Sequence, residues 1–599
     1  MDSSDAIDLN RTAMQSASKM TLPRKLFSGP LLLGIGLCAL PFLTDDFTSY
    51  QIGLFLIYGI ATQGVALCWG RLGFLPLGNA LFFGMGAYLA GGSLKAASSD
   101  ALWYWSLPLA LILPAILAYL AARLVFARST RSGPFFSLIT LAMTMLGFLV
   151  VQQWSTVTGG FNGMSGIPEP LGMDRYSHIY WAIAFTAMCS TLLLGVLIRR
   201  PLGTLWSAIS QNEDRLQLFG YATDKIKANA YALSAFLAAM AGALFAMHQG
   251  IVTPLSMGVV LATEFVIWAA VGGKGSPVGA LLGAVLVGYA SSELRDAFSY
   301  WEVLVAIIFL VVVRFLPDGL YGLVRGKRGR IESRGQQLGK MLAPRATVAG
   351  SLALEFKSVR SSQGGVRILN DLSFSLSGPG VRCIIGPNGA GKTSSFNVLT
   401  GRLPLRSGKI VLNGKEVSGM TAWQVARNGV GRKMQVPSVF PDLTVAENLD
   451  IAIWAGRLKG MDALGQAAMS WHTPLLDELM TLFPVLRQQF HERAGSLSQG
   501  HRQALEFSMT MLPEPQLVLL DEPCAGLSSK ETHQMIDAIK QVIDRLGVAA
   551  LVIEHDISAV SAIGGKVFVF DQGALLSEGT LDEIQNDTKV KSVYAGARK

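Results

Sequence analysis

Gly386-Pro387-Asn388-Gly389-Ala390-Gly391-Lys392-Thr393 reads G-x-x-x-x-G-K-T, and it follows an apolar run over residues 381–385 interrupted only by Arg382 and Cys383. A strand that feeds a glycine-rich turn into a helix lets backbone N–H groups wrap a phosphate, with the helix N-terminus facing the charge. Glycine is needed because a Cβ would block close approach and positive φ angles. In this reading Gly386, Asn388, Gly389, Gly391 and Ser394 line the nucleotide, and Lys392 reaches its β- and γ-phosphates. The Thr393 hydroxyl holds Mg²⁺. ATP and Mg²⁺ are therefore the expected ligands.

Outward from this stretch, the chain divides. Its 599 residues exceed what one core accommodates. Half the residues are hydrophobic (51%) and 15% are charged, but that average hides a change near residue 324. Before it, apolar runs of about twenty residues recur, each long enough for a ~30 Å hydrocarbon core. After it, charge and polar loops are those of a soluble domain. The expected organisation is a cytoplasmic tail (1–25), an all-α polytopic membrane domain (26–324), a linker (325–350) and an α/β phosphate-loop ATPase domain (351–599). The net charge of +9 follows membrane topology, so no nucleic-acid partner is expected. The five cysteines form no C-x-x-C pair, which indicates neither a disulfide framework nor a zinc site.

Apolar runs cover about 26–43, 51–69, 74–94, 102–126, 135–154, 178–198, 228–248, 258–272, 278–292 and 302–320. No small-residue cleavage site precedes Thr44-Asp45-Asp46, so the first run reads as an uncleaved span. Arg24 and Lys25, Arg71, Arg123 with Arg128 and Arg131, and Arg199 with Arg200 mark alternate loops as cytoplasmic. The soluble half follows Arg325, Lys327, Arg328 and Arg330, so the number of spans must be even. The runs 258–272 and 278–292 are short: as tilted spans they give ten helices, as a re-entrant hairpin eight.

Three features of this half carry possible function. The segment 200–221 places Trp206, Ile209 and Leu216 at helical spacing beside charged residues, and Gly220 can close the helix. It reads as an exposed amphipathic docking helix. Glu264 is an acid among apolar residues, which must face protein or a watery cavity. Residues 159–166 hold four glycines and read as a flexible outer loop.

The soluble half supplies further chemistry. Residues 352–356, 372–376, 381–385 and 410–412 read as strands, 444–512 as helix-rich, and 517–520 and 549–553 as buried strands, implying a parallel α/β core. The run 517–520 ends in Asp521, which can hold Mg²⁺ through water, and Glu522, which can polarise an attacking water. His555 follows the strand and can contact the γ-phosphate. Gln435 lies where it can sense Mg²⁺ while touching the membrane half. Ser498 and Gly500, at a helix N-terminus, make a second phosphate site.

With Leu497-Ser498-Gln499-Gly500-His501, residues 352–598 resemble an ABC-transporter nucleotide-binding domain, whose signature usually reads L-S-G-G-Q. Gln499 and His501 depart from that pattern, as does Ser528 where the family generally has Asp. The aromatic that stacks on adenine in the family is missing near residues 361–364. Its loss weakens ATP binding without abolishing it.

The membrane half is similar to permeases of the branched-chain amino acid and urea/amide uptake family. Residues 77–80 with 83–88, 159–163, 201–220, 271–276 and 315–320 carry this likeness. Arg382-Cys383 and Gly431-Arg432-Lys433 resemble the urea branch of that family. The resemblance implies an importer in the bacterial cytoplasmic (inner) membrane, with permease and ATPase fused. It implies a second permease, a second ATP-binding subunit and a periplasmic or lipid-anchored solute-binding protein as partners. The competing classes are half of an ABC exporter, which should show six long helices reaching into the cytoplasm, and a membrane-anchored ATPase that transports nothing.

Overall fold

The computed structural model describes residues 28–98, 100–126, 133–297, 300–316, 318–325, 340–344, 352–465, 469 and 471–596. The N-terminal tail, Arg128, Arg131, Lys327, Arg328, Arg330 and most of the expected linker lie outside them. The described linker residues bridge to the soluble half: Leu342 donates its N–H to His472 O (2.8 Å), and Met341 pairs with His472.

Every apolar run contains a helix, and among the described residues seven helical stretches are long and apolar enough to cross a membrane. Two more apolar helices are shorter, Gly29–Leu43 and Val259–Gly272. The expected run 74–94 begins later than its hydropathy suggested, with a helix over Asn79–Ala97. Pro76 disfavours helical backbone at Leu75, and residues 74–78 are irregular chain ending in a turn.

The pair expected to be equally short is unequal. Val259–Gly272 has 14 residues, whereas Pro277–Ala297 has 21 and continues through Ser291, Ser292 and Glu293, whose polarity had ended the apolar run. The second member is thus long and apolar enough to cross on its own. The two helices touch backbone to backbone: a Cβ on Gly272 would sit 2.0 Å from Gly279 O. Small residues permit such approach where burial against lipid gives little driving force.

Two of the positive residues meet at one end of this bundle. Arg71 donates to Gly275 O (3.0 Å), and Lys274 lies 5.0 Å from the Trp69 ring centre. The loop 273–276 thus sits beside the end of the helix Asp46–Leu72, on the side where the soluble domain docks. Seven apolar helices of this length fit a multi-pass membrane domain.

On the opposite side the glycine-rich loop is built, correcting the expectation of a flexible one. Strand β1 (Met164–Ser165) pairs antiparallel with β2 (Ile251–Val252). Gly163 has φ 75°, and a Cβ there would lie 2.3 Å from Val252 O. The glycine is required by the contact.

The soluble half holds two sheets. The larger runs in the order β12 (Ala574–Gly579), β11 (Lys566–Asp571), β5 (Gly380–Ile385), β10 (Ala549–Ile553), β9 (Leu517–Asp521), β8 (Val430–Lys433), parallel except at β12. Strands β9 and β10 are buried throughout, as both-face-covered parallel strands must be. The strands read at 352–356, 372–376 and 410–412 do not join this sheet. They lie in β3 (Ala353–Gln363), β4 (Val366–Ser377) and β6 (Ser407–Leu412), which with β7 (Lys415–Glu416) form a separate antiparallel sheet. Alternating burial along β4 is the period-2 signature of a half-buried strand.

Candidate functional site

The phosphate loop leaves β5 and enters the helix Lys392–Leu399. Gly386, Gly389 and Gly391 have φ of 152°, 83° and 94°, and a Cβ on Gly386 would lie 2.2 Å from Phe570 O. Asn388 and Gly389 are exposed at its tip, Ser394 is half-buried, and the buried Lys392 Nζ donates to Gly386 O (2.7 Å) and Pro387 O (3.0 Å). Burial lowers the Lys392 pKa, with Glu522 and Asp521 opposing the shift. Its ammonium spans the loop where a phosphate chain would lie.

Thr393 Oγ1 donates to Asp521 Oδ1 at 3.2 Å, so the two expected Mg²⁺ residues meet at the end of β9. A hydroxyl beside a carboxylate is a fitting oxygen donor set for Mg²⁺. Burial raises the Asp521 pKa, and Arg432, with Nη2 3.8 Å from Oδ2, pulls it back.

The three expected catalytic side chains converge. Glu522 Oε2 accepts from Gln435 Nε2 (2.9 Å), and Glu522 Oε1 lies 2.8 Å from His555 Nε2. Glu522 sits at φ 45°, which is uncommon for a side-chain-bearing residue. Its N–H donates to Ile553 O (2.9 Å), so β10 holds the turn that aims the carboxylate. Gln435 thus meets Glu522; Thr393 and Asp521 form the other contact.

The second phosphate site is elsewhere. Ser498 is exposed and caps the helix Gln499–Met511, its Oγ accepting from His501 N (3.2 Å). Among the described residues, neither Ser498 nor Gly500 is hydrogen-bonded to the loop 386–393. The three departures from the family pattern have local partners. A Cβ on Gly526 would meet Gln499 Nε2 at 2.3 Å; His501 Nδ1 lies 3.0 Å from Gln489 Oε1. Ser528 forms a capping box with Glu531 at the start of the helix Ser529–Leu546. Where an adenine-stacking ring was missed, β3 turns into β4 through Gly364 and Gly365, both at positive φ.

The docking segment forms the helix Pro201–Leu218, broken at Asn212 (φ −156°, ψ 81°). It is not the exposed helix expected, because Trp206, Ile209, Arg215 and Leu216 are all buried. Hydrophobic spacing marks a face but not which neighbour covers it. From Gln211 on, it is tied to the ATPase half. Gln211 Oε1 accepts from Asp442 N (2.8 Å), Asn212 Nδ2 donates to Ser438 Oγ (2.8 Å), and Tyr221 OH donates to Ile451 O (2.8 Å). Gly220 O accepts from Arg427 Nε (2.8 Å). Glu264 is half-buried in Val259–Gly272, in interaction with its surroundings.

Sequence reading missed the charges beneath this contact. Arg215 donates to Arg432 O (2.6 Å) and Thr510 Oγ1 (3.0 Å), and its guanidinium lies 3.3 Å from Glu506 Oε1. Glu506 Oε2 lies 3.6 Å from Lys433 Nζ, and Oε1 accepts from Met434 N (3.0 Å). Burial lowers the pKa of Arg215, Arg432 (to about 10) and Lys433, yet Glu506 opposes the shift in each. The available signal was Arg432-Lys433 in an otherwise buried strand, which demands a carboxylate partner.

Comparison with known proteins matches both halves. The model of the branched-chain amino acid transport system permease component covers residues 47–313, and that of the ABC transporter covers 369–525. LivG of Salmonella typhimurium, a high-affinity branched-chain amino acid transport ATP-binding protein, is 35% identical over 248 residues, 39% of this chain and 93% of its own. LptB of Escherichia coli, a lipopolysaccharide export system ATP-binding protein, is 30% identical over 247 residues, 41% of this chain and 97% of its own. A solved nucleotide-free ATP-binding cassette aligns at 24% identity with a TM-score of 0.35, over 41% of this chain and 98% of its own.

Proposed function

This chain belongs to the ABC transporter family, and we propose that it is the fused permease and ATP-binding subunit of an importer for branched-chain amino acids. It couples hydrolysis of ATP, held with Mg²⁺, to transport. The direction is the inference. The cassette is similar both to LivG and to an export-system protein, so it favours neither direction. The permease region carries the reading: its model is that of a branched-chain amino acid transport permease component, over residues 47–313. The inserted docking segment Pro201–Leu218 supports the same reading, against the long cytoplasmic helices of an exporter half. Urea or a short amide is the second reading, favoured by Arg382-Cys383 and Gly431-Arg432-Lys433.

In this assignment the loop residues Gly386, Asn388, Gly389, Gly391, Lys392, Thr393 and Ser394 bind the nucleotide, while Thr393, Asp521 and Gln435 serve the metal. Bound Mg²⁺ supplies charge neutralisation on the phosphates. Glu522 accepts a proton from the attacking water, Gln435 and His555 orient that carboxylate, and Ser498 and Gly500 face a nucleotide held by another cassette. The domain limits 1–25, 26–324, 325–350 and 351–599 belong to the same proposal. Partners are a distinct permease, a distinct ATP-binding subunit and a periplasmic or lipid-anchored solute-binding protein, in a bacterial inner membrane.

The test is transport by the complex in sealed vesicles with the binding protein on one face and ATP on the other. Labelled leucine should accumulate opposite the binding protein, in the ATP-containing compartment. Urea accumulation without leucine transport would select the second reading, and movement toward the binding-protein side would overturn import.

The docking contacts give a second expected result. Tyr221→Ala removes the hydroxyl bonded to Ile451 O, and uptake should fall about 2–30-fold while ATP turnover persists. Asp214→Asn breaks only the half-exposed ion pair with Arg402, and uptake should stay within about twofold. Parallel measurements in reconstituted vesicles check both.

A further inference from the structure

Three buried cations and two buried carboxylates run from the docking segment to the nucleotide site. Arg215, Arg432, Lys433, Glu506 and Asp521 are each 0–2% exposed. The elements that carry them matter. Arg215 belongs to the permease, and Glu506 lies on the helix that begins after Ser498. Arg432 and Lys433 end the strand β8, three and two residues before Gln435. Asp521 shares Thr393.

Cations exceed carboxylates here, so the carboxylates are shared. Glu506 has Arg215 at 3.3 Å on one oxygen and Lys433 at 3.6 Å on the other. Arg432 Nη1 donates to Thr400 Oγ1 (2.7 Å), but its Nη2 and Nε make no hydrogen bond. Nη2 leans toward Asp521 Oδ2 at 3.8 Å, while Glu506 and Arg215 are both within its electrostatic reach. A buried guanidinium held on one side only is costly, and any loss of its carboxylate must be offset nearby.

We propose that Arg432 is a positioning residue that transmits occupancy of the nucleotide site to the permease, by competing with Arg215 for Glu506. This deepens the reading of Asp521 as the Mg²⁺ carboxylate and rests on it. With Asp521 turned to Mg²⁺, Arg432 loses its partner. Glu506 is the remaining buried carboxylate in the cluster, and drawing Glu506 toward Arg432 loosens its grip on Arg215. The docking segment is then released on one side while Gln211, Asn212 and Tyr221 keep it attached. The Arg215–Glu506 pair acts as a latch whose strength depends on what Asp521 holds. Coupling of this kind is reciprocal: if the metal frees Arg432 to compete with Arg215 for Glu506, removing the competitor Arg215 must tighten the metal.

The experiment measures that reciprocity in the full chain in lipid nanodiscs, with Glu522→Gln throughout to prevent turnover. The dissociation constant of ATP is determined with Mg²⁺ and with EDTA, and the ratio of the two is compared between variants. Arg215→Met should increase the advantage conferred by Mg²⁺ about fivefold or more, because Glu506 becomes free for Arg432. Arg215→Lys, the milder change, should move it the same way by less. Glu506→Gln should decrease it, because Arg432 then has nowhere to go. Opposite signs distinguish the relay from a structural role. If Glu506→Gln does not fold, the two Arg215 variants decide alone. An unchanged ratio in Arg215→Met and Arg215→Lys overturns the proposal, as does a shift of both residues' variants in one direction. Asp521→Asn separates the premise from the relay: a ratio that survives it shows that Asp521 is not the metal's carboxylate.

Discussion

Glu522→Gln is expected to keep ATP bound and to lower turnover by about 10²–10⁴-fold, the range for loss of a positioned general base. The geometry explains why so small a change should act so strongly. Glu522 is contacted by both Gln435 and His555, at 2.9 and 2.8 Å. Glutamine preserves size and leaves the strained turn at φ 45° intact, but it cannot take a proton from water. Lys392→Ala should behave differently, losing nucleotide binding itself, because its ammonium is the charge that spans the loop. Nucleotide affinity and single-turnover hydrolysis, measured on the assembled complex, separate the two. Undiminished hydrolysis in the Glu522→Gln complex, with the partner cassette's site also disabled, would remove Glu522 from the assignment.

What could be read from the chain divides along physical lines. The phosphate loop was legible because glycine spacing is a local constraint on backbone, and Gly386 lies where Phe570 O leaves no room for a Cβ. Glu522, Gln435 and His555 were legible as candidates from residue type and position, but their meeting was not, since nothing in their spacing says that β9, β10 and the chain after β8 converge. Strand membership failed for β3, β4 and β6: short apolar runs look alike whether they enter the parallel core or an antiparallel sheet beside it. Alternating exposure along β4 was the available clue. The docking helix was correctly placed in sequence but wrongly exposed, because its apolar face and its Arg215 are buried by different neighbours. Hydropathy registers the first and treats the second as solvent-facing charge. The Arg215–Glu506 pair spans 291 residues of sequence, beyond any periodic pattern.

A single copy of the chain should hydrolyse ATP about 10²–10³-fold more slowly than the complete complex, the range for removing one set of preorganised donors from a developing charge. The sequence contains one phosphate loop and one signature, and in the proposed assignment they serve different nucleotides. Ser498 is exposed at the start of Gln499–Met511, with its own hydroxyl oxygen occupied by His501 N, and it makes no hydrogen bond to residues 386–393. A γ-phosphate at Lys392 is therefore approached by this chain from one side. Closing a second cassette over it would supply donors on the other and exclude water, completing the electrostatic cradle only in the closed state. The altered signature sharpens the expectation. Gln499 packs close to Gly526 and His501 lies against Gln489 within this chain, so the site formed by this signature differs from one formed by a partner with the usual residues. The two composite sites should then turn over at different rates. Turnover per chain, measured in nanodiscs proven to hold one copy and then in the reconstituted complex, checks the first claim. Ser498→Arg in the complex checks the second: it should disable the partner's nucleotide while leaving hydrolysis at Lys392 of this chain in place. Equal turnover in the monomer and the complex would mean that one cassette suffices, and the donors across the interface would have no part in the chemistry.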